Sequence, residues 1–250
     1  MTTASLHALL ILSDSALPLG SFAFSSGLES FLAHNKQKQT SSYARQQAFD
    51  VFLEHSLANV ASTALPYVLA AFHDPLSLEE LDNDFDASTP CTVARRASIS
   101  QGRAMLGIWE RALSGSAVSG LDSQTAAREL TVFASSMKSA KPDAFGLQMN
   151  GHFPPLFGVA CRALGLTVED TGYIFLLNHA KALLSAAVRA SVMGPYQSQA
   201  LLASAKLQIT VKACVERERA RNVGDAAVTI PVMDLYMGRH ELLYSRIFNS

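Results

Sequence analysis

The 250 residues hold 20 Lys and Arg against 21 Asp and Glu, a formal charge of −1. No whole-chain basic field exists to hold nucleic acid or an anionic membrane. Apolar residues make up 49% of the chain and charged ones only 16%, against about a quarter in a typical soluble protein, so too few charges remain to cover the outside. The membrane is the obvious alternative for such a chain. Its best candidate span, residues 174–193, contains Asn178, His179, Lys181 and Arg189, and a central Lys or Arg costs about 2.5 to 3.5 kcal/mol there. That stretch predicts a buried amphipathic helix. Apolar residues 6–12 have no basic region before them and are followed by Asp14, unlike a secretory signal, so a cytoplasmic location is expected. Cys91, Cys161 and Cys214 are far apart and form no C-x-x-C, which suits free thiols in a reducing compartment.

Along the chain, apolar residues recur at three and four rather than at two, the helical period. Thr40, Ser41 and Ser42 offer N-caps to a segment that aligns Phe49, Phe52, Leu53, Leu57 and Val60 on one face; Pro66 interrupts or restarts it. Residues 74–90 gather Asp74, Glu79, Glu80, Asp82, Asp84 and Asp86 without a base, which predicts a solvated loop, an insertion or a short exposed helix. A helix is expected over 92–113, ended by the Ser/Gly run 114–120, and another from an Asp122 or Ser123 cap to about 139. After the turn-rich 141–155 come a short helix near 156–164 and one carrying Glu169 and Asp170 in its first turn, which Gly194-Pro195 closes. A long helix over about 197–221 and a short one within 234–248 complete the expectation. No hairpin signal or internal repeat is present. The prediction is all-α: one single-domain helical bundle over 1–250, with an N-terminal helix-turn-helix lead-in and a C-terminal tail helix within 231–250.

Familiar catalytic signatures are missing. The chain has no G-x-x-x-x-G-K-[ST] and no G-x-G-x-x-G, and Ser116 and Ser119 do not form G-x-S-x-G. Seven histidines never fall at i and i+4, the spacing by which one helix presents two ligands. No enzyme activity is therefore expected. His152 and His240 are kept as weak metal candidates, which could meet a symmetry mate or a partner residue.

Three segments exceed what connectors require. Residues 12–29, LSDSALPLGSFAFSSGLE, place Pro18 and Gly20 in a turn and let Ser25 or Ser26 cap a helix with Glu29 at capping-box distance, yet crowd Phe22 and Phe24 into that turn. Residues 151–158, GHFPPLFG, start a helix on prolines with His152 just before it. The stretch 239–250, RHELLYSRIFNS, sets Arg239, Arg246, Leu242 and Leu243 on one helical face and keeps Tyr244, Ile247 and Phe248 at its end. So apolar an end should dock on its own body or on a partner, and Arg with Tyr and Phe is the composition of interface hot spots.

Taken in order, these segments, with Ala187-Val188-Arg189-Ala190 and Gly194-Pro195, resemble the urease accessory protein F (UreF) family across nearly the whole chain. The resemblance implies an all-α homodimer. It implies a complex with UreD (also called UreH) that recruits the GTPase UreG to the urease apoprotein, where nickel is installed with GTP hydrolysis. Nickel would be handled by the complex and GTP bound by UreG, with no cofactor held stably here. The resemblance further implies regulation of UreG's GTP hydrolysis in the same complex. The tail would help build the UreG-recruiting surface, ordered on binding UreD, and the partner-binding residues carried over are Phe22, Phe24, Gly27, Glu29, Arg239, His240, Tyr244, Arg246 and Phe248. In the family the arginine matching Arg246 bonds the aromatic matching Phe22. Phe22 has no hydroxyl, so packing or a cation–π contact is expected there. A non-enzymatic scaffold is the leading expectation, and direct nickel transit through His152 or His240 is the alternative.

Overall fold

The computed structural model describes residues 2–35, 41–139, 146 and 148–249. Among them every regular element is helical. Two devices start most of the helices. Side-chain oxygens of Thr2, Ser41, Thr167 and Ser204 accept first-turn amides of α1 (Thr3–Leu12), α3 (Ser42–Thr63), α9 (Val168–Arg189) and α11 (Ala205–Glu218). Prolines, which lack the N–H that a first turn leaves unpaired, open α4 (Leu65–His73), α8 (Phe153–Ala163), α10 (Pro195–Leu202) and α12 (Pro231–Arg239). The remaining helices are α2 (Leu28–His34), α5 (Leu78–Ser88), α6 (Thr92–Ile108, prolonged by a π-turn Trp109–Leu113) and α7 (Leu121–Ser139).

Helices α4 and α8 are buried along almost their whole length and form the centre. Their backbones approach so closely that a Cβ on Gly158 would lie 2.1 Å from the Val68 carbonyl oxygen. Helices α5, α6 and α7 pack around α8, while α9 spans α3, α4, α10 and α11. On α3, Phe49, Phe52, Leu53 and Leu57 are buried and Val60 is partly so, as the period requires. The polar residues that argued against a membrane span in 174–193 hold neighbours in place. Asn178 Nδ2 donates to the Leu12 carbonyl at 2.9 Å, Lys181 Nζ to the Ser13 carbonyl, and the His179 ring meets Ser56 Oγ at 2.8 Å. The first two satisfy carbonyls that the C-terminus of α1 leaves free. Among the described residues no helix is long and apolar enough to cross a membrane.

Four local expectations need correction. Of the alternatives for 74–90 the helix is the one formed, but it is not merely exposed: residues 78–88 form α5, which keeps Glu79, Glu80 and Asp84 in solvent and buries Leu78, Leu81 and Phe85. Asp82 on the same face is fully buried. It accepts the amides of Asn150, Gly151 and His152 at 2.7, 3.0 and 2.5 Å, and so anchors the start of α8. Helix α9 ends at Arg189, and Gly194-Pro195 opens α10 rather than closing α9. The long helix over 197–221 is two helices, because Ser204 Oγ takes the amide of Leu207 and starts α11 anew. The terminal helix stops at Arg239; after a 3-10 turn, His240–Leu242, the tail is not helical. Thr40 and residues 141–145 fall outside the described residues, whereas Ser41 serves as the cap of α3.

Candidate functional site

The first motif leaves α1 through a turn in which Asp14 Oδ1 accepts the amide of Ala16 at 2.9 Å. Gly20 and Gly27 then take positive φ of 73° and 83°, a region that costs residues with a Cβ. Ser21 Oγ donates to Gln101 Oε1 of α6 at 2.9 Å and holds the turn to the bundle. Gly27 is the N-cap of α2, and Ser25 supplies the side-chain cap from two residues before it, its Oγ accepting the Glu29 amide at 3.4 Å. Gly27 also has a packing reason to be glycine: a Cβ there would stand 3.1 Å from the Met237 amide nitrogen of α12. Helix α12 is fixed across α2 by Tyr236, whose ring meets Phe31 edge-on at 5.2 Å and whose hydroxyl accepts from Asn35 at 3.3 Å.

Past the 3-10 turn the chain doubles back onto that motif. Glu29 does not close a capping box with its carboxylate. Its Oε1 accepts the amide of Ile247 at 2.7 Å, its Oε2 the amide of Phe248 at 3.2 Å, and the Ala23 carbonyl accepts the amide of Asn249 at 2.8 Å. His240 is fully buried, with Nε2 3.0 Å from the Phe248 carbonyl oxygen and Nδ1 3.8 Å from Glu29 Oε2. A carbonyl can only accept, so Nε2 carries the proton. The Phe248 ring is buried, and the Arg189 guanidinium lies 4.4 Å from its centroid, a cation–π arrangement. An outer layer covers this clasp. Glu241 Oε1 pairs with Arg96 Nη2 of α6 and Glu241 Oε2 with Arg246 Nη1 at 2.9 Å, while Arg96 Nη2 also reaches the Asn249 carbonyl at 3.2 Å. Hydrogen bonds from the two arginines, Arg96 first, hold the Glu241 carboxyl below its ordinary range.

The nine residues expected to bind partners thus fall into two sets. Phe24, Gly27, Glu29, His240 and Phe248 face inward, and of these Glu29, His240 and Phe248 hold the tail to the body. Phe22, Arg239, Tyr244 and Arg246 face solvent, Phe22 at 66% exposure and Tyr244 without any cover. Among the described residues the expected cation–π contact of Arg246 on Phe22 is absent: Arg246 pairs with Glu241, and the Arg189 guanidinium lies over the Phe248 ring instead. Sequence reasoning missed Arg96 as well as Arg189's role. Nothing local marks Arg96, which meets Glu241 across 145 positions.

His152 lies elsewhere, fully buried, with Nδ1 3.0 Å from Ser98 Oγ and Nε2 3.0 Å from Asp86 Oδ1. Both ring nitrogens are committed to protein partners, which removes its appeal as a metal ligand. The connectivity is that of a Ser–His–Asp relay, yet Ser98 Oγ also accepts the amide of Phe153 at 3.2 Å and Asp86 pairs with Arg95 at 2.6 Å. The group ties α5 and α6 to the first turn of α8. Among the described residues no cluster of three or more His, Cys, Asp or Glu is placed to hold a metal ion.

Fold and site define a class: an all-helical protein whose distinctive surface is made by a C-terminal tail clasped onto an N-terminal Gly/Ser motif. Comparison with known proteins narrows it. The UreF family model matches residues 44–206. A UreF-like urease accessory protein of Schizosaccharomyces pombe is 39% identical over 98% of this chain and 97% of its own length. Urease accessory protein F of Arabidopsis thaliana is 29% identical over 95% and 89% of the two chains, and urease accessory protein UreF of Actinobacillus pleuropneumoniae serotype 3 is 25% identical over 98% and 99%. The chain belongs to the UreF family of urease accessory proteins.

Proposed function

We propose that this protein is a non-enzymatic scaffold of urease maturation. As a homodimer in complex with UreD/UreH, it recruits the GTPase UreG to the urease apoprotein for GTP-dependent nickel insertion. GTP belongs to UreG and nickel is cargo of the assembly. Family membership supports the role in urease maturation. The observation that carries the scaffold reading is a division among these residues: Glu29, His240 and Phe248 fix the tail to the body while Phe22, Tyr244 and Arg246 are exposed to solvent. Aromatic and arginine side chains held on a rigid support are what interface hot spots consist of, and a clasped tail spends little ordering entropy on binding. The alternative of direct nickel transit has less support, since His152 uses both ring nitrogens and His240 uses Nε2 within the protein.

The test is removal of residues 243–250. Thermal unfolding should still show a cooperative body, and co-purification with UreD and UreG should lose UreG. A truncated chain that captures UreG as well as the full chain overturns the reading.

A further inference from the structure

From Arg96, Arg246 and Glu241 we infer that the partner recruited to the tail presents an aspartate or glutamate side chain, received between the two guanidinium groups. This deepens the scaffold reading and rests on it.

The three side chains are exposed, at 56% for Arg96, 42% for Arg246 and 38% for Glu241. Ion pairs this wet contribute little to stability. The tail, moreover, is already held by Glu29, His240 and the buried Phe248. The cluster is therefore not needed to fix the fold. What it achieves is placement: one carboxylate with an oxygen toward each arginine sets two planar donor forks at the mouth of a cleft floored by Phe24 and edged by Ser100 and Asn249. Each guanidinium has five N–H donors, and the contacts described occupy Nη2 of Arg96 and Nη1 of Arg246. Most of the donors stay open, and among these three side chains two positive charges stand against one negative. An incoming carboxylate completes the balance, and arginine forks match its planar oxygens. Ile247, 66% exposed, adjoins the cleft, and Phe22, equally exposed, follows Ser21, which is bonded to Gln101 on the same helix as Arg96. An acidic side chain with apolar neighbours fits that surface, and in a chain with so few charges this local excess selects for it.

The test measures the affinity of UreG for the complex with UreD at several salt concentrations. It compares the native chain with Arg96→Gln, Arg246→Gln, the double variant and Arg96→Lys. Hydrogen exchange at the amides of Ile247 and Phe248 reports in parallel whether the tail stays clasped. The expected result is a loss of about tenfold or more for the double variant, a shallower salt dependence, partial recovery with Arg96→Lys, and unchanged protection of the two amides. A double variant that binds as the native chain does overturns this inference and leaves the scaffold reading standing. Weakened binding accompanied by loss of tail protection also overturns it, because Arg96 would then act only through the tail. If the native complex fails to bind UreG at all, the scaffold reading falls and takes this inference with it.

Discussion

Glu29 shows how much depends on a single carboxylate. Its two oxygens take consecutive backbone amides of the tail, so it recognises main chain, while the adjacent burial of Phe248 supplies the side-chain term. Truncating Phe248 to Ala should remove about 2 to 3 kcal/mol of docking free energy, enough to speed hydrogen exchange at the Ile247 and Asn249 amides about 30-fold to 150-fold. Global unfolding should change less, because the tail is a terminal element. His179 gives a second prediction. Burial pushes its imidazole down to about 4, against 6.5 in the unfolded chain. A lowered pKa means the folded state resists the proton, so the stability from keeping His179 neutral is complete above about 6.5 and is lost as pH falls toward 4. The full loss is about 3 kcal/mol. Denaturant unfolding at pH 7 and pH 4.5 should show it, and His179→Gln should lose much of that acid sensitivity. Equal pH slopes for the two proteins would contradict the assignment.

At the scale of elements, the helices were legible wherever caps and period agreed. Ser41 with the Phe49, Phe52, Leu53, Leu57 face, and Glu169 and Asp170 in a first turn, needed no tertiary information. Ser204 restarting a helix at Leu207 is a local cap that the period alone hid, but three other failures share one cause, side chains answering to partners distant in sequence. Six acids without a base read as solvated, yet Asp82 is buried because three amides of the turn before α8 converge on it, 68 to 70 positions away. Glu29 had capping-box spacing but is recruited by the tail instead. The tail itself had helical spacing between Arg239 and Arg246, and loses its helix because His240 and Glu29 take up its backbone groups. The α4 and α8 contact was equally invisible, since it depends on a missing side chain. Gly158→Ala should force these central helices apart and cost about 3 kcal/mol or more, a fall in Tm of roughly 6 to 12 °C for a chain of this size. A variant as stable as the native protein would show that the two helices can slide without penalty.

For the whole molecule, the shortage of charge has a visible consequence. Leu121, Tyr196 and Ile209, none of them in the tail, stand more than 60% exposed. Apolar side chains left this open follow from a composition with few charges to cover them. The sequence could announce that surplus, and the resemblance in its three motifs could announce the family. It could not show that the nine motif residues divide into a clasp and a display, because that division depends on which way each side chain turns after the tail folds back.

The clasp also sets a time order. Glu29 and Ile247 are separated by 218 positions, and contacts so remote form only after intervening loops have closed. During synthesis the Gly/Ser motif emerges first and the tail last, with all the core helices between them. The cleft bounded by Arg96, Glu241 and Arg246 therefore does not exist on a nascent or half-folded chain. Under the scaffold reading proposed above, recruitment through it would be restricted to molecules that have finished folding, and the same surface would certify that the scaffold is complete.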